Sequence, residues 1–222
     1  MGSSPIQVAM DIKKEDIRVI VINMHKDTHK FDRMQDMLRG QGFTHIEFID
    51  AVDAEFIGDT QFNAISMSHE MAIKIATWYD FPFLILEDDC LINLEIPDVI
   101  TVPDDAHAVY LGHSVAGVSS VPIIVDDPTF ASITTNASIE QYSEDMYKIN
   151  SMVGAHAILY LSEDFKKAAH AIAHAAYNKS INHDIMFAFL QLVYNVYGFS
   201  IPYFIQTSQY QLTKDVLRGT KD

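Results

Sequence analysis

An apolar run, Pro82, Phe83, Leu84, Ile85 and Leu86, passes without interruption into Glu87, Asp88 and Asp89, and no other stretch constrains the fold as strongly. Apolar residues at both parities describe a strand covered on both faces, as in a parallel sheet packed between helices. In open sheets of that kind ligands bind beyond the carboxyl ends of the strands, which is where these carboxylates fall. Side chains alternate along an extended chain, so Glu87 and Asp89 face one side and Asp88 the other. Two like charges converging on one side repel each other. A divalent cation relieves that repulsion, and an all-oxygen site suits Mg²⁺ or Mn²⁺. The same three residues are also compatible with a solvated turn.

At 222 residues and 49% hydrophobic content the chain can bury a proper core, and it reads as one domain over 1–222 with a loose N-terminal segment at 1–16. A net charge of -15 argues against a nucleic-acid partner, because phosphate backbones are gripped by basic surfaces. Cys90 is the single cysteine, so no intramolecular disulfide can form and an oxidising compartment gains no support. Beside three carboxylates its thiolate is disfavoured, which points to a small buried residue rather than a nucleophile. Met1 to Asp16 lacks the apolar core of a signal peptide, and no run approaches the ~18 apolar residues that a membrane span requires. The expectation is a soluble, cytoplasmic chain without an integral membrane segment.

Ile17 to Asn23 is a β-branched run suited to a first strand, and Thr28 to Arg39 follows with Phe31, Met34, Met37 and Leu38 at helical spacing. His45 to Asp50 alternates as a second strand. Ser66 or Ser68 is placed to cap a helix running to about Tyr79, and Pro82 to Leu86 is the third strand. That order predicts an α/β fold with a mostly parallel central sheet flanked by helices. Further strands are expected at His107 to Gly112, His156 to Leu161 and Ile201 to Gln206, with helices at Glu163 to Ala176 and Asp184 to Val196. Residues 113–148 read as a β-rich excursion that covers a site.

Several short segments then fall in a familiar order: Val21-Ile-Asn-Met24, Ala51-Val-Asp53, Ser68-His69 with Trp78, Leu86-Glu-Asp-Asp89, Val109-Tyr-Leu-Gly112, Gly154-Ala-His-Ala157, Ile181-Asn-His-Asp184, and Pro202 to Gln206. Together they resemble glycosyltransferase family 25, the lipopolysaccharide and collagen sugar transferases of the GT-A fold, of which this chain looks like a diverged member. Where that family carries arginine pairs after its first strand, this sequence has His25-Lys-Asp-Thr-His-Lys30.

The resemblance implies a metal-dependent, inverting hexosyltransferase that takes a nucleotide-diphosphate sugar, a uridine diphosphate sugar by preference, to a saccharide or other hydroxyl acceptor. Glu87 and Asp89 would hold Mn²⁺ or Mg²⁺ against the diphosphate, with His183 either completing the shell or orienting Asp184. Asn23, Lys26, Lys30, Asp53, His69, Glu87 and Asp88 are the candidates for donor binding. Asp184 is the candidate general base, His69 a second one. The same carboxylates also suit a phosphohydrolase or nucleotidyltransferase, and the missing arginine pair suits a silent sugar-nucleotide binder. His170 and His174, four apart on one helix, lack the third ligand of a zinc motif.

Overall fold

The computed structural model describes residues 8–113, 116–118 and 134–206. In chain order its elements are β1 (Ala9–Lys13), β2 (Arg18–Asn23), α1 (Thr28–Gly40), β3 (His45–Asp50), α2 (Ala54–Ile57), α3 (Gln61–Ala76), β4 (Phe83–Glu87), β5 (Cys90–Ile92), β6 (Val99–Pro103), β7 (Ala108–Gly112), β8 (Ala116–Val118), β9 (Thr134–Asn136), β10 (Ser138–Gln141), β11 (Met146–Ser151), β12 (Ala157–Tyr160), α4 (Glu163–Lys179), α5 (His183–Leu190), β13 (Val196–Phe199) and β14 (Phe204–Gln206).

A mixed α/β architecture results. The central sheet follows the order β10-β11-β13-β7-β12-β4-β2-β3, with β14 joined to β7 and β5. β2 lies parallel to both β3 and β4, and β7 lies parallel to β13 and β14. Along that path only β11 and β12 run against the other strands, so the sheet is mostly parallel in direction. β12 lies antiparallel between β4 and β7. Residues 152–156, which precede it, therefore arrive at the edge where β2 and β4 end.

The alternation of β2 and β4 builds two cores. Val19, Val21, Leu84 and Leu86 pack on one face with Met34 and Leu38 of α1. Ile20, Ile22, Phe83 and Ile85 pack on the other with Ala72 and Ile73 of α3, Phe165 and Ala169 of α4, and Phe187 of α5. Each large apolar side chain so buried contributes roughly 1.5–3 kcal/mol relative to exposure. Lys166 is buried in the second layer, its Nζ donating to the carbonyls of Tyr79 (2.9 Å) and Phe81 (2.6 Å). Ser162 caps α4 by accepting from the Phe165 amide.

Some boundaries differ from expectation. Thr60, not Ser66 or Ser68, caps α3, accepting from the Asn63 amide. Both serines lie buried inside that helix, where Ser68 Oγ donates to Ala64 and accepts from the Val52 amide. Residues 9–16 are not loose: β1 pairs antiparallel with β6, and Lys14 Nζ donates to the Ile96 carbonyl at 3.0 Å. α5 stops at Leu190 rather than reaching Val196, which opens β13. Within the excursion, β8 pairs with β9 and β10 with β11; residues 114–115 and 119–133 lie outside the described residues. Among the described residues no helix is long and apolar enough to cross a membrane.

Candidate active site

Strand alternation at the end of β4 sends neighbouring carboxylates to opposite layers. Glu87 follows Phe83 and Ile85 toward α3 and α5, where its Oε1 lies 3.0 Å from His69 Nε2. Its other oxygen accepts from Gln206 Nε2 at 2.9 Å, and the same nitrogen lies 3.4 Å from Asp89 Oδ1. Glu87 and Asp89 thus converge on one amide, as the period of two predicts. Burial opposes ionisation of Glu87, but the His69 hydrogen bond, the field of His69 and His156, and the Gln206 bond outweigh it and keep its pKa below the usual value. Asp89 behaves in the opposite way. Burial first, and then the Glu87 charge, push its pKa up to about 6 against the pull of the Gln206 hydrogen bond.

Asp88 turns toward α1, where Lys30 Nζ meets Oδ1 at 3.0 Å and Arg33 Nη2 donates to the Asp88 carbonyl at 2.5 Å. Lys30 also lies 3.4 Å from Asp27. Partial burial lowers the affinity of Lys30 for its proton, yet the Asp88 and Asp27 carboxylates prevail and its pKa is raised. Cys90, directly after the turn, is fully buried and donates to the His156 carbonyl; burial and the adjacent carboxylates push its thiol pKa well up, consistent with an inert residue.

α5 begins at the same edge. His183 is 3% exposed and its ring stacks on His69 with centroids 3.9 Å apart; burial and the neighbouring His69 drive its pKa well down. Neither ring nitrogen of His183 has a hydrogen-bond partner, and His69 Nδ1 also lacks one. His69 itself is 1% exposed, so it supports the site from beneath rather than forming its surface. Asp184 is half-buried, its oxygens accepting from the amides of Gly154 (3.1 Å) and Ile185 (2.7 Å). Burial leads, with the Glu87 charge behind it, in raising the Asp184 pKa to about 6, while the two amides hold it back. Gly154 reaches Asp184 with φ at 109°, a conformation open to glycine at little cost.

The remaining donor-binding candidates are placed less centrally. Asn23, at the end of β2, is 5% exposed and donates to the Met24 carbonyl at 2.8 Å, leaving Oδ1 without a partner. Lys26 and Asp53 pair with each other at 2.7 Å, and Asp53 also caps α2 by accepting from the Glu55 amide. His170 and His174 both lie near Glu70 of α3, at 3.6 and 2.9 Å, so a neighbouring helix supplies the acidic partner that the sequence pattern did not reveal.

Two features escaped sequence reasoning. Gln206 joins Glu87 to Asp89; its only trace in the sequence is its place at the end of the closing strand. The His69 to Glu87 contact joins a helix to a strand further along the chain, and nothing local to either segment reveals it.

The chain matches no model of a known protein family and no curated protein. Among solved structures it is similar to the crystal structure of a glycosyltransferase involved in the glycosylation of the major capsid of PBCV-1, at 10% identity over 72% of this chain and 67% of that one, with a TM-score of 0.39. It is also similar to CTP:phosphocholine cytidylyltransferase (LicC) from Streptococcus pneumoniae, at 7% identity over 88% of this chain and 93% of that one, with a TM-score of 0.40.

Proposed function

We propose that this protein is a cation-assisted glycosyltransferase that moves a hexose from a nucleotide-diphosphate sugar, a uridine diphosphate sugar first among them, to a hydroxyl acceptor with inversion. The observation that carries the reading is the convergence of Glu87 and Asp89 on Gln206 at the end of β4, with the Asp89 pKa at about 6. Such a pair holds a repulsion that the Gln206 amide relieves only in part and that a bound cation would remove.

The donor chemistry fits a divalent ion. Glu87 and His183 each offer a ligand atom within the same 4.8 Å cluster, and His183 has two unpartnered buried nitrogens. Glu87 and His183 are the residues of the expected set that would hold it, and Asp89 stands beside them, tied to Glu87 through Gln206. When bound, Mn²⁺ or Mg²⁺ supplies positive charge against the departing diphosphate. The chain's own groups do the rest. Lys30 and Arg33 fix Asp88 and with it the turn that presents the carboxylates. Asp184, with its pKa raised toward neutrality, takes the acceptor's proton, a contribution worth ~10²–10⁴-fold. The β2 exit, with Asn23, lies beside the end of β4 and is the side on which the nucleotide would bind.

A thermal-shift series of nucleotide sugars with and without Mn²⁺ tests the proposal, because ligand that binds only the native state raises the melting temperature. A cation-dependent shift with a uridine diphosphate sugar, followed by transfer to a hydroxyl acceptor, supports it. Hydrolysis of simple phosphate esters with no response to any sugar nucleotide overturns it.

A further inference from the structure

The end of β4 gathers more nitrogen than a carboxylate clasp for Mg²⁺ requires. One ligand atom from each of His69, Glu87 and His183 lies within 4.8 Å of the other two. The imidazoles are 1% and 3% exposed, they stack at 3.9 Å, and three of their four nitrogens have no partner. A buried polar atom left unsatisfied costs about 1–3 kcal/mol, and an ion held by His69 Nε2, Glu87 and one His183 nitrogen would satisfy one of the three. Stacking with 25° between the ring planes explains why the rings lie together but does not satisfy the nitrogens, and a shared ion requires one ring to turn so that both lone pairs meet. Two bonds of ~2.1 Å to one ion set their donor atoms about 3 Å apart at a right angle and about 3.4 Å apart at a tetrahedral one. His69 Nε2 and Glu87 Oε1 stand at 3.0 Å.

We propose that His69, Glu87 and His183 form a two-histidine, one-carboxylate site for a first-row transition ion, with Mg²⁺ excluded. The inference rests on the proposed cation site at the end of β4, and it makes His69 a ligand in place of Asp89, which the sequence suggests. Imidazole suits zinc, iron, cobalt and nickel, whereas Mg²⁺ keeps oxygen ligands and much of its water. Of the two ions considered for the transferase, Mn²⁺ remains, and Co²⁺ and Zn²⁺ bind more tightly along the usual divalent order. Asp89, tied to Glu87 through Gln206, then adjusts the shared carboxylate from the other side.

The test is a Co²⁺ titration of the chelator-stripped protein, read by visible d–d absorption and by calorimetry. The wild type should show bands of imidazole-bound Co²⁺ that Zn²⁺ displaces and a roughly 100-fold excess of Mg²⁺ does not. His69→Ala and His183→Ala should each weaken Co²⁺ binding at least ~10-fold, whereas Asp89→Asn should stay within about threefold. His69→Gln and His183→Gln, closer in volume, repeat the comparison if either alanine variant fails to fold by circular dichroism. Unchanged affinity in the histidine variants, loss in Asp89→Asn, or displacement by Mg²⁺ overturns the inference. A cobalt spectrum that depends on both histidines, in a protein that binds no sugar nucleotide, upholds this site and sinks the transferase. Mg²⁺-supported transfer that needs Asp89 and tolerates loss of His69 does the reverse.

Discussion

His69 Nε2 and Glu87 Oε1 lie 3.0 Å apart while the second Glu87 oxygen is held by Gln206, so one carboxylate is fixed from two sides. Its charge is one cause of the raised Asp89 pKa, after burial. Glu87→Gln should therefore lower the Asp89 pKa from about 6 toward the ordinary carboxylate range, stopping where burial still holds it. A carboxyl-carbon NMR titration of Asp89 in both proteins reads this. An unmoved midpoint would show that the two carboxylates do not communicate.

Asp89 costs the metal-free fold stability. A carboxyl whose folded pKa exceeds its unfolded value is best tolerated below the unfolded pKa and increasingly penalised as pH rises through the folded one. Asp89→Asn should thus stabilise the metal-free protein at pH 7.5 by on the order of 2 kcal/mol, and the gain should fade between pH 6 and pH 4. Urea denaturation at several pH values checks it. A destabilised variant, or a gain independent of pH, contradicts the reading.

Asp184→Asn keeps an oxygen for the Gly154 amide and removes the proton acceptor. Transfer should slow by at least ~10²-fold with donor affinity retained. Steady-state kinetics beside donor calorimetry separates the two effects; near-native turnover places the base elsewhere.

His156 is 2% exposed with both ring nitrogens unpartnered, and burial drives its pKa down to about 4. A histidine with a depressed folded pKa binds its proton more readily when unfolded, so its contribution to stability falls as pH drops from about 6.5 toward 4. His156→Gln should therefore lose about 2 kcal/mol less than wild type between pH 7 and pH 4.5. Parallel acid-loss curves for the two proteins would refute this.

Gly112 packs against the same ring: a Cβ there would stand 2.6 Å from His156 Nε2 and 2.9 Å from Ala157 Cβ. Gly112→Ala should cost about 1–3 kcal/mol through overpacking, measured as a lower urea midpoint at unchanged slope.

The strands and the carboxylate split were legible in the sequence because both follow from short-range rules. Apolar runs marked β2, β4, β7 and β12, alternation marked β3, and the period of two separated Glu87 and Asp89 from Asp88. β1 was missed because Asp11 and Lys13 hide its alternation; Met10 and Ile12 face inward and the charges face out, as an edge strand requires. Serines inside α3 passed for caps because serine is common at both places, and only burial tells them apart. The reversed direction of β12 has no local trace at all. Nor does the meeting of His69, Glu87 and His183, which depends on how α3 and α5 settle on the sheet.

Adjacent residues Glu87 and Asp88 answer to different layers, the first to α3 and α5 and the second to α1. A single peptide unit is therefore a hinge pin shared by two halves of the molecule. A change at Lys30 or Arg33 acts on backbone one residue from the carboxylate that meets His69.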